Sequence, residues 1–396
     1  MRFAWMWIPL VIAPVSQATA ASAASITFVV RPPSATPAGA SLWISGDRSE
    51  LGNWNGAGLP LTRNAIGEHV ASLTLTGGEP FEFKVTRGSW ETVEKDARGG
   101  EIANRRATHS GSDDTLRIDV AAWRDQGETT APRTSTITGD VRRHAQFESA
   151  HVPARDVWVW LPPGYEESPE RRYPVVYFHD GQNVLDGATS FLPGMEWRAD
   201  EVASDAIRRG ALQPFMMVAV ANSSARMREY TSSLDRQHGG GGSPAYFRFL
   251  IEELKPFING HYRTLTIPSE TTVIGSSLGG LAALELGLLH PEHFGRVGSI
   301  SPSVGWSDTA ILRRVRASSK LPLRIWLDMG TLEGTPRAEG ASSSVLLARR
   351  LRDALIARGW REGVDLHHEE FEGARHDESA WAARIGSIFQ WLLTSP

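Results

Sequence analysis

The chain has 396 residues, 41% of them hydrophobic and 22% charged, which is too long for one small module and too apolar for wholesale disorder or a collagen-like repeat. Lysine and arginine number 41 against 45 aspartates and glutamates, a net charge of -4 that excludes a field able to draw in nucleic acid or anionic lipid. The absence of cysteine excludes disulfides, a thiolate nucleophile, thiolate zinc sites and iron-sulfur clusters together.

Residues 1–24 have the layout of a cleaved signal peptide: Arg2, an apolar run from Phe3 to Val15, then Ala18-Thr19-Ala20 or Ala21-Ser22-Ala23 as a small-x-small cleavage site. The run is shorter than the roughly 20 residues a spanning helix needs, so export to the periplasm or beyond is expected, with no stable membrane insertion. Residues 25–124 hold short apolar or alternating segments (Ile26 to Val30, Ser41 to Ser45, His69 to Leu75, Phe81 to Val85, Thr115 to Val120). Turns at Pro32-Pro33, Gly56 to Gly58 and Gly77-Gly78 separate them, and this spacing predicts a small all-β sandwich, with Trp43 and Trp123 in its core. Residues 125–140, rich in Thr, Gly and Pro, predict a linker.

From residue 141 to 396 the period changes. Predicted strands at Val157 to Leu161, Pro174 to Phe178, Phe215 to Ala221, Thr272 to Gly275, Leu323 to Met329 and Val364 to Phe371 alternate with amphipathic helices. Those helices are expected at Ala199 to Arg209, Pro244 to Asn259, Leu278 to His290, Ser342 to Arg358 and Ser379 to Leu393. Such alternation means a mainly parallel sheet with helices on both faces, an α/β fold.

Gly275-x-Ser277-x-Gly279 lies between a β-branched strand and a helix, the context of a nucleophile elbow. Such a turn aims the Ser277 hydroxyl out of the sheet and leaves no room for Cβ atoms two residues either side; Ser276 would break the glycine spacing. A serine needs a base, and this fold orders its partners serine, acid, histidine. His290 and His293 end the helix after the nucleophile and suit a C-terminal cap. His367 and His368 alternate across the last strand beside Glu369-Glu370, a poor metal geometry. His376, on the turn between the last strand and last helix, is the expected base. Two carboxylates compete as the acid, Asp328 within its strand and Glu333 on the loop after it; the loop position favours Glu333. The loop after Phe178 (His179-Asp180-Gly181-Gln182-Asn183) should supply an oxyanion amide at Gln182 beside that of Leu278, with His179 and Asp180 bracing the loop.

The segments Val157 to Tyr165, Tyr173 to Asn183, Arg226 to Tyr230, Glu252 to Tyr262, Val273 to Gly280, His290 to Gly295 and Ser299 to Ser303 resemble one esterase family of the α/β-hydrolases. That family includes enterochelin esterases, feruloyl and acetyl xylan esterases, S-formylglutathione hydrolases and mycolyltransferases. The resemblance implies Ser277 as nucleophile, His376 as base, a carboxylate at Glu333 and oxyanion amides at Gln182 and Leu278. The chain departs from the HGG often found in that oxyanion loop, having His179-Asp180-Gly181. Ser49 to Trp54, Phe81 to Lys84, Trp90 and Asn104-Arg105 resemble the starch-binding modules of carbohydrate-binding family 20, which implies a glucan site of Trp54, Lys84, Trp90 and Asn104. The stretch Thr92 to Ala103 is inserted relative to that pattern.

The expected protein is an exported serine esterase that works through an acyl-enzyme, on a small or glycan-linked (or siderophore-type) ester, without metal or organic cofactor. Arg226, Glu229, Tyr230 and the Gly239 to Gly242 loop are expected to border the substrate cleft. The alternatives are acyl transfer to a sugar, and an inert hydrolase fold carried by a carbohydrate-binding protein.

Overall fold

The computed structural model describes residues 23–76, 80–97, 99–100, 102, 104–108, 112–126, 134–192, 194–236, 238–335 and 340–394. The predicted signal peptide therefore lies almost wholly outside the described residues, as do Gly77-Gly78 and residues 127–133 of the predicted linker. The chain divides into two compact units, 1–129 and 130–396.

The N-terminal unit is all-β. Its strands are β1 (Ala23–Arg31), β2 (Leu42–Gly46), β3 (Leu59–Arg63), β4 (His69–Thr76), β5 (Pro80–Thr86), β6 (Glu94–Lys95), β7 (Arg105–Thr108), β8 (Asp114–Asp119) and β9 (Ala122–Trp123). Seven run in the order β7-β5-β2-β3-β4-β1-β8, while β6 pairs with β9. β3 pairs with β2 through Leu59 to Leu61 and with β4 through Thr62 and Arg63, so it passes from one half of the sheet to the other. The halves close on one another: Phe28 on β1 meets Phe81 and Phe83 on β5 edge to face, with centroids 6.4 and 5.4 Å away. Trp123 is buried in this core as expected, but Trp43 is only half-buried. β3, β7 and the short β6 and β9 escape a pattern search because they are brief and, in β3, interrupted by Pro60.

In the C-terminal unit the strands are β10 (Asp140–Phe147), β11 (Arg155–Leu161), β12 (Val175–Phe178), β13 (Met216–Val220), β14 (Leu234–Asp235), β15 (Gly239–Gly240), β16 (Thr271–Ser276), β17 (Arg296–Ile300), β18 (Arg324–Gly330) and β19 (Leu366–Phe371). The helices are α1 (Ala199–Arg208), α2 (Arg226–Glu229), α3 (Ser243–Arg248), α4 (Lys255–His261), α5 (Leu278–Leu289), α6 (Trp306–Ala317), α7 (Ser343–Ala357) and α8 (Glu378–Leu393); a π-helical stretch, Phe249–Leu254, joins α3 to α4. The main sheet runs β10-β11-β13-β12-β16-β17-β18-β19. From β13 to β19 every pairing is parallel, while β10 and β11 add on antiparallel.

Strand residues alternate between two cores. Val157, Val159, Val175, Tyr177, Val218, Val273 and Leu327 face α3 to α7, while Trp158, Trp160, Val176, Phe178, Ile274 and Trp326 face α1 and α8. This is why the strands read as continuous apolar runs: both faces are covered.

The linker prediction needs correction. Ser135, Thr136 and Thr138 are fastened to the C-terminal unit, where Ser135 Oγ and Thr136 N donate to Asp186 (both 3.0 Å) and Thr138 N donates to Asp200 Oδ2 (2.6 Å). Short polar side chains and backbone amides, which make the segment read as a linker, are the groups those carboxylates hold. The folded unit thus starts before residue 141. β10 follows as a polar edge strand, with a register shift between His144 and Phe147.

Candidate active site

Ser277 follows β16 and caps α5. Its backbone (φ 57°, ψ −123°) lies in a region that side chains rarely adopt. Glycine is required before it, where a Cβ on Gly275 would sit 2.4 Å from the Gly279 carbonyl oxygen, and is favoured after it, where a Cβ on Gly279 would crowd Asp180 Oδ2 at 3.1 Å and His179 Cβ at 3.3 Å. The turn is pinned by Ser277 N donating to Ile300 O and Ser303 N donating to Ser277 O, both at 3.0 Å. Ser277 Oγ lies 3.4 Å from Ser303 Oγ.

His376 leaves the carboxyl end of β19 and Glu333 that of β18. His376 Nδ1 is 2.6 Å from Glu333 Oε2, which leaves Nε2 as the nitrogen available for proton transfer. No hydrogen bond joins it to Ser277 Oγ among the described residues; such contacts often tighten only with substrate bound. His376 sits edge-on to Trp381 (5.1 Å) with 45% of its side chain exposed, whereas Glu333 is 3% exposed. Glu333 Oε1 accepts from Gly330 N (2.8 Å) and the Ser301 hydroxyl (2.6 Å). Burial pushes the Glu333 carboxyl up, but the His376 ring, Ser301 and Gly330 outweigh it and hold the group below its ordinary value.

Asp328, the competing acid, is fully buried and turned elsewhere. It accepts from Trp326 Nε1 (2.7 Å) and Ser301 N (3.0 Å), and Arg384 stands 3.3 Å away. Burial pushes it up to about 6 despite that guanidinium. Arg384, which escaped sequence inspection, also reaches Ser301 Oγ (2.6 Å) and lies 3.6 Å from Glu333. Its signal was a lone arginine among Trp381, Ile385 and Ile388 on the apolar face of α8.

The loop after β12 makes a 3-10 turn, Gly181–Asn183, beside the start of α5. A Cβ on Gly181 would meet the Ala219 and Val220 backbone at 2.3 Å, so only glycine fits. Gln182 and Leu278 stand in the first turns of their helices, where amides have no intrahelical acceptor. His179 and Asp180 brace this turn: Asp180 N donates to Tyr230 Oη (3.0 Å) and His179 Nδ1 is 2.9 Å from Tyr246 Oη.

Of the three residues expected to border the cleft, Glu229 and Tyr230 are buried and do not, while Arg226 keeps 30% of its side chain exposed. Arg226 forms a two-pronged ion pair with Asp180 (2.7 Å to each oxygen), Glu229 is buried against Arg155 (2.7 Å), and Tyr230 is fully buried. Arg226 and Tyr230 thereby fix Asp180 and the loop after β12. Gly239 and Gly240 form β15 in a two-stranded ribbon with β14. Of the remaining histidines, His367 stacks on Trp326 at 4.3 Å.

Glu378, also unforeseen, accepts from Asn183 Nδ2 (3.2 Å) and so joins the 3-10 turn after β12 to the start of α8. Burial, reinforced by Asp180 and Asp377, pushes its carboxyl up to about 7. The folded chain keeps this proton to about pH 7 while the unfolded chain releases it near 4.5, so stability falls as pH rises through that interval and levels above it. Glu378→Gln should remove that share, up to ~3 kcal/mol at pH 8. Thermal melts of both proteins from pH 4.5 to 8.5 check this; parallel curves would contradict it.

In the N-terminal unit Trp54 and Trp90 stand together half-buried, with ring centroids 6.1 Å apart, and Trp90 Nε1 donates to the Trp54 carbonyl (2.9 Å). Asn104 donates to Glu82 (3.0 Å). Lys84 departs from expectation: it is 6% exposed, and its ammonium donates to the Ile102 carbonyl, which belongs to the inserted stretch. The insertion occupies the lysine that a sugar hydroxyl would otherwise meet.

Residues 149–392 match the family described as Putative esterase, and residues 23–115 the Starch binding domain. The chain is 27% identical over 231 residues to the ferri-bacillibactin esterase BesA of Bacillus subtilis, covering 52% of this chain and 75% of that protein. Its N-terminal part is 39% identical over 104 residues to an alpha-amylase of Niallia circulans, spanning 26% of this chain but only 8% of the amylase. The crystal structure of the BES protein from Bacillus cereus superposes with a TM-score of 0.53 at 21% identity, covering 67% of this chain and all of that one, a likeness of fold. With its match to that model extending over more than half its length, the chain belongs to the Putative esterase family and is a carboxylic ester hydrolase, preceded by a segment similar to the Starch binding domain.

Proposed function

We propose that the protein is an exported serine esterase whose triad is Ser277, His376 and Glu333. The observation that carries this reading is the Glu333–His376 pair at the carboxyl edge of the same sheet whose strained elbow presents Ser277. Ser277 Oγ attacks the ester carbonyl carbon and its proton passes to His376 Nε2, while Glu333 holds the opposite ring nitrogen. The carbonyl oxygen becomes an oxyanion facing the Gln182 and Leu278 amides. Collapse breaks the bond to the alcohol oxygen, which takes the proton from His376, and leaves an acyl-Ser277. Water, deprotonated by His376, then releases the carboxylic acid.

The substrate class we favour is a siderophore-type ester, on the strength of BesA. A hydrolysis screen over catecholate, feruloyl, acetyl and plain alkyl esters tests it: catecholate esters should give the highest kcat/KM, and a preference for another class would overturn that part alone. Free acid as the main product in the presence of a polyol acceptor would separate hydrolysis from acyl transfer. Export rests on residues 1–24, and recovery of a shortened chain from the periplasm or medium tests it.

For the N-terminal unit we propose glucan binding on the paired tryptophan faces, without Lys84. Trp54→Ala and Trp90→Ala should each weaken binding to insoluble starch by about 2- to 10-fold, on the order of the 0.5–1.5 kcal/mol expected of a lost aromatic face. Unchanged retention in both would rule out this platform.

A further inference from the structure

We propose that Glu196, Asp200 and Glu201 form a structural site for a hard divalent cation, Ca2+ in the first instance, beside the loop that follows the oxyanion turn. The site is independent of the triad. Each residue offers one carboxylate oxygen, and the three oxygens lie within 4.8 Å of one another. Asp200 is fully buried and Glu196 is 6% exposed.

Each of these carboxylates has one oxygen already held. Asp200 Oδ2 accepts from Thr138 N (2.6 Å), Glu196 Oε1 from the Thr136 hydroxyl, and Glu201 Oε1 meets Arg198 Nε (3.3 Å). The second oxygens, Asp200 Oδ1, Glu196 Oε2 and Glu201 Oε2, are shielded from solvent and have no hydrogen-bond partner among the described residues. A buried carboxylate oxygen without a donor is costly, and three held together repel one another unless a positive charge stands between them. The cation touching the cluster, Arg198, has 65% of its side chain exposed and meets only Glu201 among the three.

Two of the carboxylates lie in the first turn of α1, where a helix favours negative charge. That accounts for neither the third carboxylate, contributed by the preceding loop, nor the burial of the unpartnered oxygens. Oxygen-only ligands with a high carboxylate share suit Ca2+, whose coordination tolerates irregular geometry and accepts water. A cavity of about 860 Å³ bordered by Thr136, Glu196, Arg198 and Glu201 gives the ion and its waters a path from solvent.

The cation would fasten three pieces of backbone. Thr136 and Thr138 precede β10, Asp200 begins α1, and the loop carrying Glu196 closes on the oxyanion turn through Trp197 N to Asn183 O (2.9 Å) and Ala199 N to Val184 O (3.2 Å). The ion is thus expected to stabilise that turn without touching substrate.

Calorimetric titration of the chelator-treated full chain with Ca2+ should give one saturable site and a rise of several degrees in thermal midpoint. Tb3+ should report the same site by luminescence excited through Trp197, and Ca2+ should displace it. Asp200→Asn and Glu196→Gln should each weaken Ca2+ binding at least tenfold, while Asp205→Asn, which changes a neighbouring exposed carboxylate, should leave it within twofold. Should one of the two ligand variants not fold, the other serves. Absence of saturable binding in the wild type up to about 10 mM Ca2+ would overturn the proposal, since that exceeds the weakest protein calcium sites. Binding unchanged in both ligand variants would overturn it as well.

Discussion

Ser277→Ala should abolish ester hydrolysis, lowering kcat by a factor on the order of 10^4 to 10^6 while the thermal midpoint stays near that of the wild type. The hydroxyl is the one group removed, and among the described residues its hydrogen-bond contact is a single long one, 3.4 Å to Ser303 Oγ. A companion substitution separates chemistry from folding. Ser277 is held at φ 57°, ψ −123°, where a side chain costs about 1–3 kcal/mol and glycine does not. Ser277→Gly should therefore be equally inactive yet melt higher, by roughly 2–4 °C for each kcal/mol of strain released. Activity in either variant within tenfold of wild type would remove Ser277 from the reaction. An inactive glycine variant that melts lower would show that the elbow is not strained as its dihedral angles imply.

Glu333→Gln should lower kcat by about 10^3–10^4 with little change in KM, because the amide can donate to His376 Nδ1 and favour the wrong tautomer. The comparison is with Asp328→Asn. Asp328 touches Trp326, Ser301 and Arg384, whereas the imidazole pairs with Glu333. Its loss should leave kcat within tenfold and lower the thermal midpoint, since breaking one side of a buried ion pair costs about 3–5 kcal/mol. Steady-state kinetics and melting curves on both variants decide the matter. If Asp328→Asn costs more kcat than Glu333→Gln, the acid is the strand residue.

Much of this site is legible in the residues themselves. Gly275 and Gly279 flank Ser277 at the spacing a strand-to-helix turn enforces, and the contacts that a Cβ would make there show why. β12, β13, β16 and β18 stand out as apolar runs because helices cover both faces. β17 does not: its Gly298 interrupts the run, and the position where a Cβ would stand is filled by Ile274, 2.9 Å away. β10 is polar because it is an edge strand, and no hydrophobic period betrays it.

What chain order and residue type determine is the reaction class: a serine on an elbow, a histidine on the turn after the last strand, and no cysteine to replace either. These are local properties, set by backbone geometry within a few residues of each group. Which carboxylate meets His376, what Arg226 is for, and whether Lys84 is free for a sugar depend on residues far apart in the chain. Tertiary structure decided each by burial. A charge removed from water takes the partner that folding brings to it, so Asp180 claims Arg226, Arg384 claims Asp328, and Ile102 claims Lys84.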